Sequence, residues 1–285
     1  MITPQEEVPK LAKILGLSVP LYFKREDLHP YGSHKGRSIP YMIEQYAQGG
    51  ANQFAISSSG NAAIAAALYI TDYNIKFTES PLSLQIFVGE NISDGKYQTI
   101  KQLKRSNNSQ ITITQTEKPR QAVHILSKKG EAKSLRQSTD PLALAGYQSL
   151  IGELEQIQDL GTIFVPTSSG TTAQALASKF AVHVVQTSAC HPIAEEFDHD
   201  FTETESSLAD AIVDRVAIRK EKLKNSLMGA WIVSDKEIGQ AIGLTREMCG
   251  IEISPNSALS LAGLQRALGR GFKPDKPVVC LITGK

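Results

Sequence analysis

A chain of 285 residues with 30 basic and 29 acidic side chains carries a formal charge of +1 and no like-charged block, which argues against nucleic acid as a partner. Its 41% apolar and 21% charged residues are ordinary for a globular protein with one large domain or two modest ones. No apolar run nears the ~20 residues of a membrane span, MITPQEEVPK is not a signal peptide, and Cys190, Cys249 and Cys280 have neither metal nor disulfide spacing, so a cytoplasmic, metal-free protein is expected.

The first distinctive stretch is LYFKREDLHPYGSHKGR, Leu21 to Arg37, which sets Lys35 in a Gly-Ser-His-Lys-Gly turn. Beyond it, strand and helix patterns alternate. QFAIS (Gln53–Ser57) predicts a short strand, and NAAIAAALYITDY an alanine-rich helix. LSLQIFVG then leads into SDGKYQTIKQLKR, and ITITQ into KPRQAVHILSKKG, where Gly130 is placed to cap the helix end. A long helix is expected over residues 140–161, with Asp140 as N-cap, Pro141 in the first turn and Gly161 as the stop.

The alternation resumes with TIFVP before GTTAQALASKF, followed by HVVQTS. An acidic stretch over residues 188–207 reads as a surface loop. AWIVS, the helical DKEIGQAIGLTREMCG and SPNSALSLAGLQRALGRGF, and a terminal apolar strand PVVCLITG complete the chain. Strands alternating with helices of about a dozen residues imply parallel sheets covered on both faces.

Three segments carry candidate chemistry. In IFVPTSSGTTAQAL a strand runs into Ser168-Ser169-Gly170-Thr171-Thr172 and a helix. Backbone N–H groups and hydroxyls there suit a phosphate, although the stretch is neither a Walker A motif nor a GxGxxG fingerprint. In ISSSGNAAIAAALY a second strand meets Ser57-Ser58-Ser59-Gly60-Asn61, which suits a carboxylate. Lys35 becomes a nucleophile once a neighbouring cation or desolvation lowers its pKa. Taken alone, each turn is equally a serine-capped helix without a ligand, and Lys35 an ordinary surface lysine.

The three together, in this order, resemble the fold-type II pyridoxal-phosphate enzymes, the tryptophan synthase β-like superfamily. FKREDLHPYGSHKGR is similar to the family's Schiff-base lysine segment, SSSGNAA to its asparagine loop, PTSSGTT to its phosphate loop, and CLITG to its terminal strand. GIEISPNSALSLAGL and LALAGYQSLIGELEQ fit the same template, so the resemblance covers nearly the whole chain. It implies pyridoxal 5′-phosphate as cofactor, held by Lys35, Asn61, Ser168, Ser169, Gly170, Thr171, Thr172 and Thr283, with Lys35 also the catalytic base. Ser58, Ser59, Gly60 and Ala62 are implied as the substrate carboxylate site. A neutral Thr283 hydroxyl at the pyridine nitrogen leaves the ring unprotonated, which suits elimination or replacement at the β or γ carbon.

Some positions depart from the family pattern. Gly36 stands where many relatives have aspartate, Ala62 where threonine is common, and serines and threonines where the phosphate loop is usually richer in glycine. The resemblance implies an α/β fold of two three-layer αβα domains with the cofactor between them. The larger, cofactor-binding domain is expected from residues 1–40 and 138–285, and a smaller inserted one from 41–137. The leading expectation for function is a lyase with threonine synthase-like chemistry on O-phosphohomoserine. Serine/threonine ammonia-lyase is the alternative, then cysteine synthase-like or tryptophan synthase β-like replacement, and outside catalysis a pyridoxal-phosphate-binding regulatory protein. A phosphorylated substrate needs a second anion site, for which Lys24, Arg25 and Arg37 are candidates against a structural ion-pair role. The expected partners are a small amino acid and, as is common in the family, a second copy in a homodimer, with no membrane or nucleic acid.

Overall fold

The structure, a computed structural model, describes residues 2–105 and 110–284. Residues 1, 106–109 and 285, which the expected domain ranges include, lie outside the described residues. The chain divides into two compact units, Met1–His29 with Tyr147–Lys285, and Pro30–Gly146. The first begins with strand β1 (Gln5–Glu7), helix α1 (Pro9–Ile14) and strand β2 (Leu21–Arg25).

The second unit follows in the order α2 (Lys35–Gln48), β3 (Gln53–Ser57), α3 (Asn61–Lys76), β4 (Ser83–Gly89), α4 (Asp94–Arg105), β5 (Ile111–Thr116), α5 (Pro119–Lys128), β6 (Lys133–Ser134) and α6 (Leu142–Ala145). Its described strands form a parallel sheet in the order β5-β4-β3-β6. Alternation along β3 sorts the two faces. Phe54 and Ile56 pack with Ile70, Leu84, Ile86 and the α2 residues Ile39, Met42 and Ile43. Ala55 points the other way, to Phe87, Val123 and Ala132. Burial on both faces is what a parallel sheet requires.

Helix α2 belongs to this unit because its i, i+3, i+4 apolar stripe is part of that core. The unit is therefore wider than the 41–137 insertion expected from sequence, and it includes Lys35. At the far boundary Gln137 donates its side-chain N–H to the Ser38 hydroxyl. A Cβ on Gly146 would lie 2.6 Å from the Ser38 Cα, so only glycine lets the chain approach α2 there. The single helix expected over 140–161 is accordingly interrupted at Gly146, although Asp140 Oδ1 does accept the Leu142 N–H at 2.9 Å.

The first unit resumes with α7 (Gln148–Leu154), β7 (Thr162–Pro166), α8 (Thr171–Leu176), β8 (Ala181–Thr187), α9 (Lys220–Leu223), β9 (Leu227–Val233), α10 (Asp235–Cys249), α11 (Pro255–Gly269) and β10 (Val278–Ile282). Its sheet runs β1-β2-β10-β7-β8-β9, with β1 antiparallel to β2 and the other pairs parallel. Ser234 and Glu237 form a capping box at the start of α10, and Gly250 ends that helix in the left-handed region. The acidic 188–207 stretch holds a short 3-10 helix, Ala194–Glu196, and an isolated bridge from Cys190 to Thr187. It is pinned where Asp198 accepts the Ile232 N–H at 3.0 Å and pairs with Arg266. No helix among the described residues is long and apolar enough to cross a membrane.

Candidate active site

In the Pro30–Gly146 unit the sequence candidates sit at helix starts. Lys35 is the first residue of α2 rather than part of a free turn, and it is half-buried. Gly32, at φ +77°, takes the preceding loop past the first turn of α3, where a Cβ on it would lie 4.0 Å from Ile64. The Tyr31 ring meets Tyr69 of α3 edge-on at 5.9 Å between centroids. Burial, with Asp72 close by, pushes the Tyr31 phenol up to about 12, which keeps it protonated. The lysine segment and α3 are thus packed together.

Asn61 opens α3, a 16-residue helix that no side chain caps. Ser57 ends β3 at its carboxyl edge, and Ser58, Ser59 and Gly60 bridge to the helix. The Ser58 hydroxyl accepts the Gly60 N–H at 3.3 Å, and Gly60 O accepts the Ala63 N–H at 2.9 Å. The amides of Asn61 and Ala62 therefore lead a long, uncapped helix, where a carboxylate is favoured. A cavity of about 420 Å³ in this unit is lined by Ser57 and by Lys118, Pro119, Arg120 and Gln121 at the start of α5.

In the other unit the phosphate-loop candidates and Thr283 leave adjacent strands. Cys280 of β10 lies opposite Phe164 of the parallel β7, and two residues on, Ile282 and Pro166 end their strands at one carboxyl edge. Sheets of this kind bind ligands at that edge. Gly170 stands at φ +87°, which a glycine adopts without strain. The Ser168 hydroxyl oxygen accepts the backbone N–H of Val213 at 3.1 Å and of Asp214 at 3.2 Å. Thr171, buried, accepts the Arg219 Nε–H at 3.1 Å and lies 3.1 Å from the Ser169 hydroxyl. Thr172 is buried beside it.

Thr283 is fixed by two serines at the start of α11. Ser257 Oγ donates to the Gly284 carbonyl at 2.7 Å, accepts the Gly284 N–H at 3.1 Å and lies 3.4 Å from Thr283 Oγ1. Ser254 Oγ also donates to the Gly284 carbonyl at 2.7 Å.

Sequence reasoning missed the residues that brace these loops. Arg219 and Gln174, 48 and 3 residues from Thr171, join it through one guanidinium. Buried Gln186 donates to the Thr167 carbonyl at 3.2 Å and accepts the N–H groups of Ile193 and Ala194. No local motif marks either residue. Lys24 and Arg25 are structural: Lys24 is fully buried against Glu153, and Arg25 grips Asp27 through Nε and Nη2 and Glu6 through Nη1.

The donor chemistry suits pyridoxal phosphate. Ser168 has its oxygen filled by two N–H donors, so its hydroxyl is left to donate, the polarity that a phosphate requires. The primary amine of Lys35 and the uncapped start of α3 in one unit, and the neutral Thr283 hydroxyl in the other, are groups of the kinds that this cofactor and an amino-acid substrate bind.

Residues 2–284 match the model of the family described as pyridoxal-phosphate dependent enzyme, and the chain belongs to that family. The cofactor of the family is pyridoxal phosphate. The threonine synthase of Methanosarcina acetivorans is 23% identical over 99% of this chain and 74% of its own length. A pyridoxal 5′-phosphate-dependent aspartate racemase superposes with a TM-score of 0.80 at 19% identity, covering 100% of this chain and 90% of its own. The processed form of threonine deaminase isoform 2 from Solanum lycopersicum gives a TM-score of 0.78 at 20% identity, covering 99% and 78%. These likenesses give the fold-type II architecture.

Proposed function

We propose that the chain is a lyase that acts on a small amino acid by β/γ-elimination or replacement, with threonine synthase-like conversion of O-phosphohomoserine the leading reaction. Lys35 would hold the cofactor, Asn61 would meet its ring oxygen, residues Ser168 to Thr172 its phosphate, and Thr283 its pyridine nitrogen. Ser58, Ser59 and the Ala62 amide would take the substrate carboxylate. Pyridoxal phosphate, when bound, supplies the electron sink that acidifies the substrate α-proton.

The chain's own residues do the rest. The uncapped α3 start orients the substrate by its carboxylate, which fixes the α-carbon for proton removal. Lys35 Nζ takes that proton as a base and returns a proton later in the cycle. The observation that carries this reading is the setting of Thr283, a neutral hydroxyl beside Ser257, itself bonded to Gly284. A neutral group at the pyridine nitrogen favours β/γ chemistry over transamination.

Threonine synthase is placed before ammonia-lyase because a protein of that name aligns along 99% of the chain. Lys118 and Arg120, in the cavity that Ser57 also lines, are the candidates for the phosphate end of the substrate. The test is to load the protein with cofactor and add O-phosphohomoserine, serine, threonine and O-acetylserine separately, following the visible spectrum and the products. Threonine and phosphate from O-phosphohomoserine alone support the leading reaction. Ammonia and a keto acid from serine or threonine favour the ammonia-lyase, and no response to any of the four overturns both.

A further inference from the structure

We propose that Arg219 is a positioning residue for the cofactor phosphate, a role that rests on reading Ser168 to Thr172 as the phosphate loop. The loop carries four hydroxyl side chains, Ser168, Ser169, Thr171 and Thr172, which need orienting. Arg219 lies only 6% exposed. Its Nε–H donates to Thr171 Oγ1 at 3.1 Å and its Nη1 to Gln174 Oε1 at 2.8 Å. An N–H on one lone pair of Thr171 turns that hydroxyl's hydrogen away from the guanidinium. The same contact places a permanent positive charge against the loop.

Independent features show that this side chain is held in place. Ala217, two residues earlier, stands at φ +43°, a left-handed conformation that strains a non-glycine residue. Strain of this kind persists where surrounding contacts over-determine it. The turn it makes is closed by the Lys220 N–H on the Ala217 carbonyl at 2.7 Å. Lys220 is itself tied to Glu195 and Glu196, each at 3.0 Å.

Gly170 locks against the same turn. A Cβ there would meet Leu223 at 2.7 Å and the Arg219 Cβ at 3.2 Å, so loop and α9 fit only with glycine at that position. The amides of Val213 and Asp214, on the segment leading to Arg219, hold Ser168 from the other side. One stretch of chain, from Val213 to Leu223, thereby fixes Ser168, Gly170 and Thr171 together.

The test compares binding of pyridoxal 5′-phosphate and of pyridoxal, which lacks the phosphate, by equilibrium titration of the visible band. The proteins are the wild type and Arg219→Met, Arg219→Gln and Arg219→Lys. Loss of the guanidinium charge and of its hold on Thr171 and Gln174 is expected to weaken pyridoxal phosphate by about tenfold or more in Arg219→Met. Pyridoxal binding is expected to stay unchanged, and Arg219→Lys to recover part of the loss. Should thermal unfolding show that Arg219→Met does not fold, Arg219→Gln, neutral and close in reach, is read in the same way. Equal changes for both ligands, or none, with a wild type that prefers the phosphorylated form, would overturn the role of Arg219 and leave the loop reading standing. A wild type that binds the two ligands alike would overturn the loop reading, and this role with it.

Discussion

Trp231 donates its indole N–H to Nδ1 of His183 at 3.1 Å, and this bond decides which imidazole nitrogen carries the proton. With Nδ1 accepting, the hydrogen of the neutral ring sits on Nε2, which is buried and has no hydrogen-bond partner among the described residues. Taking up a second proton means placing it on Nδ1, against the indole N–H. The ring is also stacked on Phe164 with centroids 4.3 Å apart. Burial lowers its pKa from 6.5 to about 4.

A neutral buried histidine makes stability depend on pH in a definite direction. The unfolded chain protonates this ring near 6.5 while the folded one waits until about 4, so stability falls as pH drops through that window and levels off below it. At pH 5 the loss relative to pH 7 is about 2 kcal/mol from this residue. Urea unfolding of wild type and His183→Gln at pH 7 and pH 5 measures it. An equal fall in both proteins would remove His183 as the cause.

The Lys24–Glu153 pair makes a second prediction. Lys24 Nζ lies 2.5 Å from Glu153 and 2.7 Å from the Thr3 carbonyl, with its side chain wholly out of water. Lys24→Met strips the counter-charge from a nearly buried carboxylate and is expected to cost about 3–5 kcal/mol. Lys24→Met with Glu153→Leu should lose less than the single change, because the isolated charge goes too. Denaturant midpoints of the three proteins decide it. A double variant less stable than the single would show that the pair, not the charge left behind, accounts for the loss.

Much of this was legible in the sequence because local chemistry dictates it. The short apolar run in QFAIS, Gly130 at the end of α5, and the small-residue turns at Ser57 to Asn61 and Ser168 to Thr172 each specify their own structure. Lys35 and Thr283 were singled out by resemblance alone, and nothing local announced that Lys35 opens a helix packed into the Phe54 core. The bracing residues were invisible for a different reason. Arg219 reaches Thr171 across 48 positions and Gln186 holds Thr167 across 19. Such contacts are made by tertiary folding, and an arginine in RKEKLKN reads as a solvated face until the fold turns it inward.

At the end of the chain, Ser257 makes both hydrogen bonds of Gly284, while Ser254 duplicates only one. Ser257→Ala is therefore expected to cost about 1–3 kcal/mol by leaving a buried N–H without that acceptor, and Ser254→Ala about 1 kcal/mol. Ser257→Ala should also shift the visible band of the cofactor-loaded protein, since it loosens the residue before Gly284, Thr283. Thermal unfolding ranks the two variants and absorbance reads the second effect. Equal losses in both would mean that the Gly284 N–H bond carries no weight.

The distal anion of the substrate provides the last test. Lys118 and Arg120 line the cavity that includes Ser57, the residue before the proposed carboxylate site, and both are exposed in the structure. Exposed cations lose little from the fold when removed, so a change in catalysis is readable without a change in stability. If they hold the phosphate of O-phosphohomoserine alike in ground and transition states, Lys118→Ala and Arg120→Ala raise KM with kcat nearly unchanged. A rise of about tenfold for each corresponds to roughly 1.4 kcal/mol per contact, in the range of a charge-assisted hydrogen bond. Serine, which has no distal anion, serves as the control ligand, and its apparent Kd, read from the visible band, should not move. An equal weakening for both ligands would point to the shared carboxylate end, and no change for either would place the distal group elsewhere.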